Sequence, residues 1–356
     1  MALITTIIPT FRRPQLLRRA IQSSLAQSFT DLQVLVLDNA SGDETAAVVT
    51  KLIKTDGRVK YHCHPENIGG GNNFQYGLQH VTTPFFSILS DDDILLPDFY
   101  GTAMQAFTDH PQASFVACGT LHITPTGDYY GMPVARLPAG SYRPPEGVLA
   151  LLRYGHPEWT GILFRSAILH EIGFLDLETG HASDLDFELR AAARTSFVVS
   201  HQPAAIYSTQ PLTPQTSGTY PFENIWPGWP RMIQNLIDDP RLPQAIKEEA
   251  RWRLENQFRD GLFSLVFRYL YQNKIDDARK AREVLDREFN CRWQAGVLQI
   301  AIMIHKALGP DRTLAWWSFC RNALYRLKAL GLFRTRVRPH ESSTMDVTPY
   351  LKFLEL

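Results

Sequence analysis

Asp91-Asp92-Asp93 packs three carboxylates directly behind the strand-like run Phe85 to Leu89 and Ser90. Adjacent carboxylates repel one another, and a hard divalent cation bound through oxygen is the usual relief. Mg²⁺ or Mn²⁺ keeps coordination positions open for phosphate, so a nucleoside diphosphate is the natural partner. Two other apolar runs also end in chemistry: Leu3 to Ile8 runs into Pro9-Thr10-Phe11-Arg12-Arg13, and Leu32 to Leu37 into Asp38-Asn39. Phe11 offers a stacking surface, Asp38 an acceptor for a base or ribose, and Arg12 or Arg13 a counter-charge for phosphate. The competing structural reading makes Asp91 to Asp93 a solvated loop that caps the next helix.

Such residues converge only if the elements before them lie side by side. The first 120 residues alternate short apolar runs with helical spacing, the pattern of βαβ units and a parallel sheet. Pro14 opens a helix through Leu25, and Ser41 with Glu44 reads as a capping box opening a helix through Leu52. Strands are expected at Val59 to His62, Phe85 to Leu89 and Ser114 to Cys118, and a helix at Phe74 to Val81. In an open α/β sheet, ligands sit beyond the carboxyl ends of the strands, where these polar residues fall. From 121 to about 210 the pattern loosens into a hairpin turn at Thr126-Gly127-Asp128, strands at Trp159 to Phe164 and Phe197 to Ser200, and a helix at Asp184 to Arg194. Residues 211–230 hold five prolines and read as a linker. Beyond them the spacing is helical through 330.

The order strand–PTFRR, strand–DNASGDET, an NIGGGNN loop and strand–SDDD resembles glycosyltransferase family 2 with the GT-A fold. The likeness covers about residues 3 to 210. It implies a nucleotide pocket at Pro9, Thr10, Phe11 and Arg13, a base contact at Asp38, and a donor contact at Asn67 and Gly69. It also implies Asp92 as metal ligand, with Asp91 toward ribose or phosphate. Ser90 stands where the family usually has an aspartate, so Asp91 or Asp93 remain alternatives for the metal. Downstream, Trp159-Thr160-Gly161, Ile172-Gly173-Phe174-Leu175-Asp176 and Ser183-Asp184-Leu185-Asp186 resemble the family's acceptor half. Asp184 falls on the general base, with a helix N-cap as its structural alternative, and Trp159, Thr160, Gly161 and His181 become acceptor-side candidates. On helical spacing Asp184 and Glu188 share a face, while Asp186 and Arg190 suit a structural pair. The family's histidine after the following strand is missing here, where Tyr207-Ser208-Thr209-Gln210 stands.

The resemblance implies an inverting transfer of a sugar from a nucleotide-diphosphate donor to an acceptor hydroxyl, in assembly of a bacterial surface polysaccharide or glycolipid. The acceptor is a saccharide or lipid-linked saccharide. Two other functions compete. One is a sugar-phosphate nucleotidyltransferase, whose glycine-rich, basic phosphate loop Pro9 to Arg13 does not supply; the other is a non-catalytic nucleotide-sugar or membrane-surface binding protein.

Bulk properties narrow the field further. In 356 residues, 36 basic side chains balance 36 acidic ones, so the total implies no strong polyelectrolyte partner, and nothing resembles a nucleic-acid module. The balance hides a split: 14 basic against 20 acidic residues in 1–220, and 22 against 16 in 221–356. Nine Lys or Arg against one acid lie between Arg292 and Arg338, interleaved with Trp316, Trp317, Phe319 and several leucines. That mixture suits an anionic membrane surface, or packing against the catalytic part or a second subunit in a homo-oligomer. Four scattered cysteines suggest a reducing cytoplasm, with peripheral attachment at the inner face of the cell membrane. His62 and His64 share one side of a strand, where packing explains them better than a metal.

The expected fold is therefore α/β: a GT-A, Rossmann-like, mostly parallel sheet flanked by helices, followed by a helical C-terminal region. The expected division is a catalytic domain over 1–215 (nucleotide-sugar half 1–120, acceptor half 121–215), the linker 211–230, a helical domain over 231–335, and a tail over 336–356.

Overall fold

The computed structural model describes residues 2–124, 126–208, 220–309 and 345–355. The first third winds as its periodicity predicts: β1 (Ile4–Thr10), α1 (Pro14–Leu25), β2 (Leu32–Asp38), α2 (Thr45–Thr55), β3 (Val59–Cys63), α3 (Gly70–Gln79) and β4 (Phe85–Ile88). Then follow β5 (Ile94–Leu95), α4 (Phe99–Asp109), β6 (Ala113–Ile123), β7 (Tyr129–Gly131), β8 (Gly140–Tyr142), α5 (Glu146–Tyr154), β9 (Ile162–Arg165), α6 (Ile168–Ile172), α7 (Ser183–Arg194) and β10 (Ser196–Ser208).

The sheet runs β3-β2-β1-β4-β9-β6-β10-β5, with β7 at the side of β6 and β8 at the side of β10. β3, β2, β1 and β4 pair in parallel, as do β6 and β10, while β9 and β5 are antiparallel to their neighbours. The chain leaves β1 toward β2 and returns on its other side as β4, which makes the carboxyl end of β1 a topological switch point. All seven residues of β1 are buried, so the strand is apolar-compatible on both faces as a central parallel strand must be. Leu17, Ala20 and Ile21 of α1, Val49 of α2, and Phe99, Tyr100 and Phe107 of α4 join one core with Ile4, Ile8, Val34 and Val36. Inside it the Tyr100 hydroxyl bridges Thr6 of β1 (2.5 Å) and Ser87 of β4 (2.6 Å), so its buried polar atom is satisfied while it locks the two strands.

Three local expectations change. Ser41 does not cap α2: its hydroxyl is taken by the Arg12 backbone N–H, and Asp43 accepts from Thr45 instead. Trp159–Gly161 is a 3₁₀ turn, and the strand begins only at Ile162. Asp184 is not an N-cap either, because α7 already starts at Ser183.

The rest of the chain comprises α8 (Gly228–Ile237), α9 (Gln244–Tyr271), α10 (Ile275–Arg287), α11 (Arg292–Leu308) and α12 (Thr348–Leu351). By residue contacts the chain divides into two compact units, one drawn from 1–211, 231–250 and 342–356, the other from 212–230 and 251–341. The boundaries differ from the expected 215 and 231. Asp176 of the sheet unit accepts hydrogen bonds from Arg231 and Asn235, and Arg194 pairs with Asp239, so polar ties hold 231–250 to the first unit. Nor is the tail loose over 345–355: Met345, Val347, Tyr350, Leu351 and Phe353 pack on Ile94, Leu96, Leu121, Ile123 and Ile206. In the second unit Phe222, within the expected linker, joins Leu262, Val266, Ala281, Leu285, Leu298 and Ile302 in a helical core. The helix expected over 314–330, the linker over 211–219 and most of the basic stretch lie outside the described residues.

Candidate active site

The switch point gathers the residues singled out by spacing. Thr10, last in β1, donates from its hydroxyl to Asp91 Oδ2 (2.7 Å). Arg13, at the entrance to α1, donates from Nη1 to Asp91 Oδ1 (3.1 Å) and to Asp92 Oδ2 (2.8 Å). Between them Phe11 is exposed and Arg12 turns into the left-handed region at φ 56°, its guanidinium 4.9 Å from the Phe11 ring centroid. That turn sends the Arg12 N–H to Ser41 Oγ (2.9 Å) and its Nε to the Ser41 carbonyl (3.1 Å). The ends of β1 and β2 are thereby stitched together.

Asp38 is buried at the end of β2, accepting from the Ser41 N–H (2.9 Å) and from the Tyr61 hydroxyl (2.6 Å). Burial first and the Asp38 carboxylate second raise the Tyr61 phenol pKa, so Tyr61 stays a donor. Each Asp38 oxygen keeps a further lone pair for a ligand. Asn39 carries the contact onward: Asn67 Oδ1 accepts from its Nδ2 (2.8 Å), and its own Oδ1 accepts from the Ile68 N–H (2.9 Å). Asn67 Oδ1 also receives the Gly69 N–H (2.9 Å), and Gly69 adopts φ 84°, a conformation that favours glycine before α3.

The three acids divide. Asp91 is mostly buried; desolvation raises its pKa, opposed by Thr10 and Arg13 and reinforced by Asp92. Asp92 keeps about a fifth of its side chain in solvent (21%) and meets Arg13. Asp93 turns inward, fully buried, accepting from Thr160 Oγ1 (2.6 Å) and the Ser208 N–H (3.0 Å). Burial, then the charge of Asp92, pushes its pKa up to about 8 against those two hydrogen bonds. Among the described residues no three His, Cys, Asp or Glu side chains gather into a metal-ready group. Asp91 and Asp92 do fit the mode in which Mg²⁺ or Mn²⁺ takes one or two carboxylates and completes its shell with substrate phosphate and water. Asp93, turned to Thr160 and Ser208, does not.

On the acceptor side Asp184 is half-buried in the first turn of α7. Asp186 faces away and binds Arg190 Nε (2.7 Å) and Asn235 (2.9 Å), while Arg190 also donates to the carbonyls of Ile172 and Phe174. Trp159 packs against Phe164 and Phe187 with ring centroids 5.4 and 5.3 Å away. Thr160 spends its hydroxyl on Asp93. Gly161 lies so close to β6 that a Cβ would stand 2.4 Å from Thr120 Oγ1 and 2.9 Å from the Cys118 carbonyl. Thr160 and Gly161 thus act as joints between β9, β6 and the acidic loop. His181 is exposed near Asp184, whose charge opposes the lowering of the imidazole pKa by burial.

Spacing alone did not assign Ser41 and Tyr61 to the surroundings of Asp38, nor bring His156 and Glu158 together with Glu188. The available signals were the adjacency of Asn39 to Asp38 and the shared helical face of Asp184 and Glu188.

Fold and site define an α/β protein with two carboxylates and a guanidinium clustered at the switch point of its sheet. Residues 5–171 match the model of Glycosyl transferase family 2. It is 41% identical over 106 residues to the GalNAc(5)-diNAcBac-PP-undecaprenol beta-1,3-glucosyltransferase of Campylobacter jejuni, a match covering 30% of this chain and 34% of that one. It is 32% identical over 111 residues to the succinoglycan biosynthesis protein ExoW of Rhizobium meliloti, covering 30% and 35%. The match to each of these curated relatives spans about a third of the relative's length. The fold resembles that of S. aureus TarS 1–349 in complex with UDP-GlcNAc, at a TM-score of 0.64 and 17% identity over 87% of this chain and 92% of that one. It also resembles a mannosyltransferase from Pyrobaculum calidifontis in complex with GDP-Man and Mn²⁺, at 0.53 and 17% identity over 99% and 85%.

Proposed function

We propose that the protein is an inverting glycosyltransferase that moves a sugar from a nucleoside-diphosphate donor to an acceptor hydroxyl in one displacement. The cluster Thr10–Asp91–Arg13–Asp92 at the switch point carries this reading, because it places two carboxylates and a guanidinium where a sugar nucleotide's diphosphate binds in such sheets. Phe11 and Asp38 receive the base, Asn67 and Gly69 border the donor, and Asp91 faces ribose or phosphate. Asp92, with Asp91, holds the divalent cation, which when bound neutralises the leaving diphosphate. Arg13 adds its own positive charge to the same oxygens. Asp184 accepts the proton of the acceptor hydroxyl as that oxygen attacks the anomeric carbon, and the bond to the diphosphate breaks on the opposite face.

The substrates follow the relatives: a saccharide or lipid-linked saccharide acceptor in assembly of a bacterial surface polysaccharide or glycolipid. We place the enzyme at the cytoplasmic face of the membrane. Supporting this, α11 exposes Trp293, Ile300 and Met303 along one stripe, with exposed Arg292 and Lys306 beside it and no acid in the helix. Such a face suits an anionic lipid surface. No described helix is long and apolar enough to cross a membrane.

Ligand-induced stabilisation tests the donor site, since a ligand that binds only the native state raises the melting temperature. With Mn²⁺ present, one of UDP, GDP or dTDP is expected to raise it, and Asp92→Asn to abolish that rise. No response to any of the three contradicts the reading.

A further inference from the structure

Glu188 is the most exposed contradiction between charge and burial in the sheet unit: its side chain is wholly buried, and among the described residues neither carboxylate oxygen has a hydrogen-bond partner. A carboxylate stripped of water and hydrogen bonds is costly unless a cation stands beside it. His156 supplies one. Its Nδ1 lies 3.5 Å from Glu188 Oε2, and it approaches the Pro157 carbonyl at 3.2 Å. A carbonyl only accepts, so that contact as a hydrogen bond puts a hydrogen on Nδ1, and the ring's charge then depends on Nε2. The His156 side chain is about a third exposed (31%), so its second nitrogen can exchange protons with solvent while Glu188 cannot.

The pair lies under Asp184. Asp184 and Glu188 are one turn apart on the same face of α7, and like charges at that spacing repel. The groups facing His156 are Glu188 and Asp184 from α7 and Glu158 from its own loop. Those facing Glu188 are His156, Asp184 and Glu158. Glu158 is in turn 3.4 Å from His122 Nε2 of β6. Burial alone lowers the imidazole pKa, yet Glu188, then Asp184 and Glu158, outweigh it and carry it to about 10. Burial raises the Glu188 carboxyl and the His156 charge pulls it back.

We propose that His156 and Glu188 form a charge pair that keeps an imidazolium between two carboxylates one helical turn apart, which makes both of them positioning residues for Asp184. With the cation removed, Asp184 and Glu188 confront each other in a partly dry site, where one of two such carboxylates takes up a proton. The functional consequence rests on Asp184 being the base; the charge pair itself does not.

Histidine-selective NMR of the full chain therefore comes first, because it reads the pair without any turnover. The His156 signal is identified as the one missing from His156→Gln. In the wild type it is expected to titrate well above the ordinary imidazole range, and in Glu188→Gln to fall by about one pH unit or more. A wild-type signal titrating at or below the ordinary range overturns the pair, even if Glu188→Gln fails to fold. A folded Glu188→Gln with an unmoved signal overturns it equally. The second arm is the pH profile of kcat for nucleoside diphosphate release. His156→Gln is expected to move its acid limb up by about one pH unit with donor KM unchanged. The double variant His156→Gln/Glu188→Gln is expected to move the limb back down, because the confronting carboxylate is gone. A double variant no better than His156→Gln assigns the pair a packing role and removes its link to Asp184.

Discussion

Asp91, Asp92 and Asp93 are neighbours in the chain with three different environments, and that difference sets what each can do. Asp93 is spent inside, on Thr160 and the Ser208 N–H. Removing a buried acceptor with two donors strands both, at about 2–3 kcal/mol. Asp93→Ala is accordingly expected to lower the unfolding free energy read from urea titration by an amount of that order, while Asp92→Asn, at a partly exposed position, leaves it almost unchanged. Equal losses of stability in the two variants contradict this division. The acids were conspicuous in the sequence as a cluster, but the direction of each was not. Their partners Thr10, Arg13, Thr160 and Ser208 come from four distant places in the chain, and only the closed sheet brings them together. Ser41 shows the same limit: its spacing to Glu44 looks like a capping box, yet tertiary contact with the Arg12 N–H outcompetes the local hydrogen bond.

At the scale of elements, the strands of the parallel half were legible because burial on both faces demands continuous apolar runs. β5 was not, since two residues carry no periodicity, and its place follows from pairing with Ala205 and Ile206 of β10. The start of β9 was also misplaced: Trp159, Thr160 and Gly161 look strand-like but turn as a 3₁₀ segment so that Thr160 reaches Asp93. Gly161 is the hinge of this arrangement. Gly161→Ala pushes a methyl group against the Cys118 carbonyl and Thr120 Oγ1, and overpacking of this kind costs about 1–3 kcal/mol. Chemical denaturation should register that loss; an unchanged midpoint shows that β9 and β6 separate freely and that the joint is not tight.

Across the whole molecule, the near-zero net charge conceals an acidic sheet unit and a basic helical stretch, and the two imbalances point to different partners. The acids of the first unit include Asp91 and Asp92, to which the proposed function assigns the cation and diphosphate. In the second, the described part of the basic stretch is α11, whose apolar stripe carries the lipid-surface proposal. Co-sedimentation with vesicles rich in phosphatidylserine is expected to fall several-fold for Trp293→Ala/Ile300→Ala and to weaken with salt. Binding unaffected by either contradicts the assignment of this face. The domain division was only half legible, because 231–250 reads as one more helical segment, and its attachment depends on single side chains, Arg231, Asn235 and Asp239, that no periodicity reveals.

The most direct test of the central claim is release of the nucleoside diphosphate from a panel of UDP-, GDP- and dTDP-sugars with Mg²⁺ or Mn²⁺ and saccharide or lipid-linked acceptors. The account predicts metal-dependent release from one donor class, reduced at least about a hundredfold in both Asp92→Asn and Asp184→Asn. Turnover that survives both substitutions, or nucleotide and metal binding with no release from any donor and acceptor, contradicts it.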